Sequence, residues 1–307
     1  MKVFVAGATG VVGQPAVREL VAAGHDVTAV ARSAAKAQLV HDLGARAVEV
    51  DLFDPAAVAG VVAGHDAVVN LATKIPPLSQ AIRAGAWEEN HRIRRDVSRN
   101  LVDAALAGDV PRYVQESLAF FYEDRGDQWI DETVPVDLPP VARTARDAEA
   151  QAARMTEAGR TGIVLRFGVF YGPAGSHTRE LLRLVRRRFS PVMGRATSYQ
   201  ASIHTHDAGS AVAAALHVPA GVYNVVDDQP LTRREYADAL AMAAGAGRAL
   251  IPPRWITWLL GENARALARS QRVSNKRFRQ ATGWAPRYPN AREGWSASLA
   301  DLRGDAA

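Results

Sequence analysis

The chain contains no cysteine among its 307 residues, which excludes a disulfide framework and thiolate chemistry. It also has no run close to the ~20 uninterrupted apolar residues that a membrane-spanning helix needs. Lys2 is followed by a strand pattern, not by the apolar core of a signal peptide. We therefore expect a cytoplasmic protein with no membrane partner.

Charge of one sign is not concentrated anywhere, although the formal net charge is +5. The densest basic run, residues 179–188, has the spacing of an amphipathic helix, which favours a solvated helix face. An anion-binding or subunit-contact role is the alternative. We expect no nucleic-acid partner and a monomer or homodimer, and the basic balance suits an anionic cofactor.

The most informative segment present is a glycine-rich turn between a strand and a helix. The apolar run Val3, Phe4 and Val5 leads into glycines spaced G-x-x-G-x-x-G, and a helical pattern follows. Glycine lets the backbone approach phosphates closely, and a helix N-terminus favours an anion. The segment therefore predicts a site for a dinucleotide pyrophosphate. Its predicted cofactor-binding residues are Gly7, Thr9, Gly10, Val11, Val12 and Gly13.

Strand-like and helical segments alternate through the first half of the chain, which is typical of a parallel sheet with helices on both faces. The later predicted strands are residues 26–32, 45–51, 67–73, 113–117 and 162–170. A long helical stretch, interrupted near Gly85, is predicted from about residue 78 to 107. We expect a Rossmann-type, doubly wound α/β fold in residues 1–172 and a smaller mixed C-terminal lobe for the substrate in residues 173–307. The lobes should form one compact body, and their segments can interleave.

The end of the second strand indicates which dinucleotide binds. An acidic residue there would accept hydrogen bonds from an adenosine ribose, and none is present. Arg32, Ser33 and Lys36 follow the strand instead, and the two cations suit a ribose 2′-phosphate. NADP is therefore favoured over NAD. The alternative is a solvated start to the second helix.

The glycine spacing and several later segments resemble the extended and atypical branches of the short-chain dehydrogenase/reductase family, the relatives of sugar-nucleotide epimerases and dehydratases. The later segments are residues 165–173, 202–207, 221–225 and 281–286. The resemblance implies cofactor contacts at three more strand ends. These are Asp51 and Leu52 at the adenine, Leu71, Ala72 and Thr73 along the cofactor, and Phe167 and Gly168 beside the nicotinamide. Phe167 stands where the family usually has Pro.

The family's usual proton donor, a Tyr with a Lys four residues later, is missing. None of the seven tyrosines has a Lys at that spacing. The alignment places Val141 at the Tyr position and Ala145 at the Lys position, while Glu149 keeps an acidic position one turn beyond. The resemblance thus implies the fold and the cofactor but not the usual proton relay.

Three residues are candidates for the catalytic work on a substrate oxygen. Ser117 matches the family's strand-five Ser, with a structural strand-end hydroxyl as the alternative. Tyr122 is the best replacement phenol, unless its ring only packs over the sheet. Lys74 follows strand four and could supply a cation or a proton, or be a solvated loop lysine. Glu116, beside Ser117, is either a buried base or a hydrogen-bonded strand residue.

Trp87, His177 and His204 are candidate substrate-binding residues, and a structural role is the alternative for each. We expect no metal site, because His204 and His206 have no supporting carboxylate pattern. The leading hypothesis is an NADP-dependent oxidoreductase that transfers a hydride between the nicotinamide and a carbonyl or activated double bond of a small-molecule substrate. The alternatives are a redox-neutral epimerase, isomerase or lyase, and a catalytically idle NADP-binding sensor.

Overall fold

The apolar run Val3, Phe4 and Val5 is fully buried in the computed structural model, which describes residues 1–77, 80, 83–173, 176–190 and 192–304. It forms the first strand of the chain. The strands are β1 (Lys2–Ala6), β2 (Asp26–Val30), β3 (Arg46–Val48), β4 (Ala67–Asn70), β5 (Arg112–Leu118), β6 (Thr161–Phe167), β7 (Val169–Tyr171), β8 (Tyr199–Gln200), β9 (Ser202–His204), β10 (Gly221–Val225) and β11 (Leu231–Thr232).

Seven of these strands form one sheet in the order β10-β6-β5-β4-β1-β2-β3. β1 is parallel to both β2 and β4, β2 is parallel to β3, and β4 is parallel to β5. The order reverses beside β1, as it does in doubly wound sheets. The predicted Rossmann-type α/β fold is confirmed, and two small sheets, β11-β8 and β7-β9, accompany it.

Helices follow most strands. The α-helices are α1 (Gly13–Ala22), α2 (Ala34–Asp42), α3 (Pro55–Val62), α4 (Glu88–Arg92), α5 (Ser98–Ala107), α6 (Ala145–Glu157), α7 (Ser176–Arg186), α8 (Thr205–Ala215), α9 (Arg233–Ala243), α10 (Arg254–Leu259), α11 (Glu262–Leu267), α12 (Lys276–Thr282) and α13 (Ala291–Gly304). Short 3₁₀ turns occupy Ala84–Trp87 and Pro140–Ala142, and Ile93–Val97 is a π-helical turn.

Two predicted elements are divided in the structure. The strand predicted over 162–170 ends at Phe167, because the Gly168 amide donates to the Val225 carbonyl and the chain then joins the small β7-β9 sheet. The helical stretch predicted over 78–107 with an interruption near Gly85 has a 3₁₀ turn at Ala84–Trp87, and a π turn further on separates α4 from α5. Residues 78, 79, 81 and 82 lie outside the described part. α3 was not predicted, although Asp54 caps it by accepting from the amides of residues 56 and 57.

The chain divides into two compact units built from several segments each. Unit 1 comprises Met1–Ser117, Arg143–Arg166 and Ala208–Tyr223, and unit 2 comprises Leu118–Ala142, Phe167–Asp207 and Asn224–Ala307. Segments therefore cross the predicted boundary between residues 172 and 173 in both directions. It stays a prediction that one part of the chain binds the cofactor and the other binds the substrate.

Each unit has its own apolar core. In unit 1, Phe4, Leu101 and Met155 belong to one cluster and are fully buried. In unit 2, Trp295 is fully buried, and its ring centroid lies 5.3 Å from that of Tyr171. No helix in the described ranges combines the length and the apolarity that crossing a membrane requires.

Candidate functional site

Three central strands are paired in register up to the carboxyl ends of β1 and β4. Ala6 at the end of β1 pairs with Asn70 at the end of β4, and Asn70 pairs with Gln115 of β5. Because the strands are parallel, the loops that follow them leave the sheet at one edge. Ligands of such sheets bind at this edge, beside the point where the strand order reverses.

The first loop depends on two glycines. Gly7 has φ +80°, and a Cβ built there would lie 2.5 Å from the Leu71 carbonyl carbon and 2.6 Å from the Ala72 nitrogen. A Cβ at Gly13 would lie 2.1 Å from the Gly7 oxygen. Side chains at these positions cannot be accommodated without backbone movement. The glycines thus bring Leu71 and Ala72, two of the predicted cofactor residues, against the turn.

Gly10 differs from the other two glycines because its environment is open. It is exposed, its amide donates to the Gly7 oxygen at 3.0 Å, and a Cβ would meet only that oxygen, at 3.2 Å. Helix α1 begins just beyond, with no side-chain cap at Val12 and no acidic residue in its first turn. An uncapped helix N-terminus attracts an anion. The turn therefore fits a pyrophosphate. Thr9 and Val11 complete it.

The end of β2 presents two exposed cations. Arg32 and Lys36 are exposed, and neither forms an ion pair with another described residue. Ser33 acts as the N-cap of α2, and its Oγ accepts from the Lys36 amide at 3.4 Å. The two cationic side chains are therefore available to a phosphate, while the Ser33 hydroxyl is engaged by the helix.

The predicted adenine-side residues form a turn of their own. The exposed Asp51 carboxylate accepts from the Phe53 amide at 2.9 Å, and the Leu52 carbonyl accepts from Asn100 at 3.0 Å. The Arg92 guanidinium lies 4.5 Å from the centre of the Phe53 ring. The sequence interpretation overlooked Phe53, Arg92 and Asn100, which fix this turn.

The buried side-chain amide of Asn70 connects several groups at this edge of the sheet through hydrogen bonds. Asn70 donates to Gln115 at 3.0 Å and to the Tyr113 hydroxyl at 3.2 Å, and its own oxygen accepts from the Ala72 amide at 3.1 Å. Burial raises the pKa of the Tyr113 hydroxyl, so the phenol stays neutral. Asn70 thus ties the loop after β4 to the neighbouring strand.

The π turn places a buried ion pair beside the end of β5. Arg94 is 2% exposed, and one of its terminal nitrogens donates to both Glu116 oxygens, at 2.9 and 3.1 Å. Burial raises the pKa of the Glu116 carboxyl, and Arg94 opposes that rise. Glu116 is therefore held by a cation, and its role as a base stays a prediction.

The Ser117 hydroxyl has an acidic partner. Ser117 is buried, and its Oγ donates to the Glu149 carboxylate at 2.6 Å. Arg166 binds the same carboxylate through two nitrogens, at 2.8 and 2.7 Å. The hydroxyl proton is thus directed at Glu149 in this structure, so Ser117 lacks a free donor for a substrate oxygen. The strand-end alternative describes this geometry better than the catalytic one.

The other two catalytic candidates are placed very differently. Tyr122 is fully buried, its hydroxyl donates to Asn224 at 2.7 Å, and its ring packs in an apolar cluster of unit 2. The packing alternative thus describes its position. The Lys74 side chain is exposed, while its backbone amide donates to Asn90 at 3.0 Å. Catalytic roles for both residues stay predictions.

Most of the predicted substrate residues and strand-six contacts lie in packed surroundings, as residues with a structural role do. His204 is buried, with its Nε2 3.1 Å from the Ser298 Oγ and its ring against Tyr288. Trp87 is half-buried at the end of a 3₁₀ turn.

The predicted strand-six contacts are also packed. Phe167 is fully buried, and a Cβ at Gly168 would lie 2.7 Å from the Ser202 backbone. His177 belongs to α7, and its side chain lies outside the described part, as does that of Arg179 in the basic run.

A histidine that the sequence interpretation overlooked lies close to the start of α6. His91 is half-buried in the last turn of α4, and its Nδ1 lies 3.0 Å from the Thr144 Oγ1. Thr144 directly precedes Ala145, which the resemblance places at the family's Lys position, a placement that stays a prediction. No pattern in the sequence joins residues 53 positions apart.

Comparison with known proteins places this geometry in a family. Residues 7–181 match a family described as NAD(P)H-binding. The chain is 32% identical over 309 residues to the 3-diazoavenalumate denitrifying reductase of a Streptomyces species, a match that covers 96% of this chain and 99% of that protein.

Two solved structures share the fold. The human epimerase family protein SDR39U1, solved with NADPH, has a TM-score of 0.81 and 23% identity, and the match covers 98% of this chain and 100% of that one. DesIV, the dTDP-glucose 4,6-dehydratase of Streptomyces venezuelae solved with NAD, has a TM-score of 0.81 and 19% identity over 99% and 98% of the chains. The chain therefore belongs to the family described as NAD(P)H-binding, and it has the fold of these two proteins.

Proposed function

We propose that the protein is an NADPH-dependent reductase of a small molecule that carries a carbonyl or an activated double bond. The observation that carries the proposal is the open Gly10 turn above the uncapped start of α1, with Arg32 and Lys36 exposed beyond β2. Bound NADPH would supply a hydride from C4 of its dihydronicotinamide. The similarity to a protein named as a reductase supports this class of reaction.

In this proposal the chain's own residues hold the cofactor at three places. The Gly7–Gly13 turn and the first amides of α1 bind the pyrophosphate, and Arg32 and Lys36 pair with the 2′-phosphate. The backbone of Leu71 and Ala72, fixed through Asn70, lies along the cofactor. Thr73, Phe167 and Gly168 stay predicted contacts nearer the nicotinamide.

Replacing Arg32 with Ala should remove most of the preference for NADPH over NADH. A lost charge-assisted hydrogen bond costs on the order of 1.5–3 kcal/mol, so NADPH should bind about 10- to 150-fold more weakly while NADH binds unchanged. Calorimetric titration of both cofactors measures this. The exposed Arg18 on α1 is the matched control, since Arg18→Ala should leave both affinities unchanged. Equal affinities for NADPH and NADH in the unmodified protein would contradict the assignment.

A second candidate is the reduction of a diazo compound with loss of nitrogen. Val141 and Ala145 occupy the positions of the family's proton donor pair, and the similar Streptomyces protein is named for a denitrifying reduction of a diazo substrate. Hydride addition to a carbon that carries a diazonium group releases N₂ and leaves a neutral product. Such a reaction requires no acid on the enzyme.

NADPH oxidation with a panel of probes tests the proposal. The panel contains aromatic aldehydes, conjugated enones and a hydroxyarenediazonium salt, and NADPH loss is followed by absorbance. Reduction of the aldehydes or enones supports the first candidate, and reduction of the diazonium salt alone supports the second. Tight NADPH binding without consumption by any probe would favour a redox-neutral enzyme or an NADP-binding sensor.

A further inference from the structure

The missing Tyr–Lys pair leaves the carbonyl reduction without an obvious acid, and His91 occupies a suitable position in unit 1. Its Nδ1 contacts Thr144, which stands three residues after Val141 and directly before Ala145. The resemblance places Val141 and Ala145 at the positions of the missing Tyr and Lys. A titratable ring is therefore held at the start of the helix where the family places its phenol and its ammonium.

The Thr144 hydroxyl does not make the helix-capping hydrogen bond that its position favours. Thr144 is the N-cap residue of α6, and a Thr there usually accepts from an amide in the first helical turn. It makes no side-chain cap in this structure, and its Oγ1 contacts the His91 ring instead. Thr144 is only 8% exposed, so few other orientations are open to it.

The other nitrogen of the ring is available. Among the residues that the structure describes, His91 Nε2 has no hydrogen-bond partner, and the side chain is half-buried. One ring nitrogen fixed by a neighbour and the other free is the arrangement by which a histidine serves as a general acid or base.

The alternative donors of unit 1 are less suited to this task. The Ser117 hydroxyl is directed at Glu149, and Glu116 is held by Arg94. The exposed ammonium of Lys74 has no contact within the described residues that would fix it in place. Unlike these three groups, His91 is a titratable group that the fold both orients and leaves open.

We propose that His91, positioned by Thr144, donates the proton in the reduction, an inference that rests on the proposed carbonyl reduction. The carbonyl carbon gains the hydride, and the carbonyl π electrons move to oxygen, which takes the Nε2 proton of the imidazolium. The ring becomes neutral and keeps its Nδ1 proton, which it donates to the Thr144 Oγ1 before and after the transfer. Solvent then returns the lost proton.

His91→Gln should lower kcat by about 10²–10⁴ with the aldehyde that the unmodified protein reduces fastest, because general acid catalysis is worth that much. NADPH affinity should be unchanged. The exposed His41 provides the control, since His41→Gln should keep the parental rate. A His91→Gln protein with the parental kcat would overturn the proposal.

Thr144→Val tests the positioning role without removing the imidazole. The loss of one hydrogen bond should lower kcat by about tenfold, together with a change in the tautomer of the His91 ring. A Thr144→Val protein with the parental kcat and the parental tautomer would remove Thr144 from the proposal.

Nitrogen NMR of the histidine rings gives a readout that needs neither cofactor nor turnover. At high pH, His91 should carry its proton on Nδ1, and Thr144→Val should shift it towards the Nε2 tautomer. An Nε2–H ring in the unmodified protein would contradict the proposed geometry, even if His91→Gln failed to fold. If the unmodified protein consumes no NADPH with any carbonyl probe, the proposed function fails, whereas the NMR result still reports on the His91–Thr144 contact alone.

Discussion

Gly10→Val should abolish detectable NADPH binding and leave the protein folded. A Cβ at Gly10 would meet one neighbour, the Gly7 oxygen at 3.2 Å, a close contact that a small shift of the turn would relieve. The branched side chain would instead occupy the space above the turn, where the pyrophosphate is proposed to bind. We expect the affinity to fall at least about 100-fold, or about 2.7 kcal/mol. Calorimetric titration and a thermal melt of the same sample measure the two effects.

Gly13→Val is the matched comparison, because it should act on the fold. A Cβ there would lie 2.1 Å from the Gly7 oxygen and 2.6 Å from the Ala8 carbonyl carbon. The turn would have to move before any ligand bound, so this variant should lose thermal stability without NADPH present. If Gly10→Val bound NADPH with parental affinity, the dinucleotide site would lie elsewhere.

Glu116→Gln should lower the free energy of unfolding by about 3–5 kcal/mol, because it leaves the Arg94 charge buried without a counter-ion. The pair is deep, with side chains 2% and 7% exposed. Two further Arg94 nitrogens, Nε and Nη1, already have no hydrogen-bond partner among the described residues. Urea unfolding followed by circular dichroism measures the change.

The double variant Arg94→Met with Glu116→Leu should be more stable than Glu116→Gln, since apolar side chains replace both charges. The surface pair of Arg154 and Asp103, 2.8 Å apart and 41% and 51% exposed, is the control. Asp103→Asn should change stability by no more than about 1 kcal/mol. If Glu116→Gln changed the free energy of unfolding as little as Asp103→Asn, then leaving the buried Arg94 charge without its counter-ion would cost little stability.

The parts of the fold that the sequence predicts are those determined locally. The glycine turn is readable because its three glycines lie within one segment, where the turn requires the positive φ of Gly7 and the close backbone approach at Gly13. The central strands are readable because their apolar runs are buried on both faces. The strand predicted over residues 162–170 fails at Gly168, because the Val225 and Ser202 backbones that turn the chain there come from distant segments.

The side-chain partners near the end of β5 could not be predicted, because each joins segments far apart in the chain. Ser117 looks like a free strand-end hydroxyl until Glu149, 32 residues later, is placed beside it. The π turn that directs Arg94 inward reads as ordinary amphipathic helix. Thr144 could have been recognised as a helix cap, but nothing in the sequence indicates that its hydroxyl contacts His91.

Transfer of deuterium from NADPH labelled at C4 is the measurement that tests the reductase proposal most directly. The protein is incubated with each stereoisomer of the labelled cofactor and the reactive probe, and the product is analysed by mass spectrometry. We expect one isomer to place a single deuterium on the carbon that was the electrophile, in step with NADPH oxidation. A protein that binds labelled NADPH tightly and yields only unlabelled product, or no product with any probe, would contradict the proposed function.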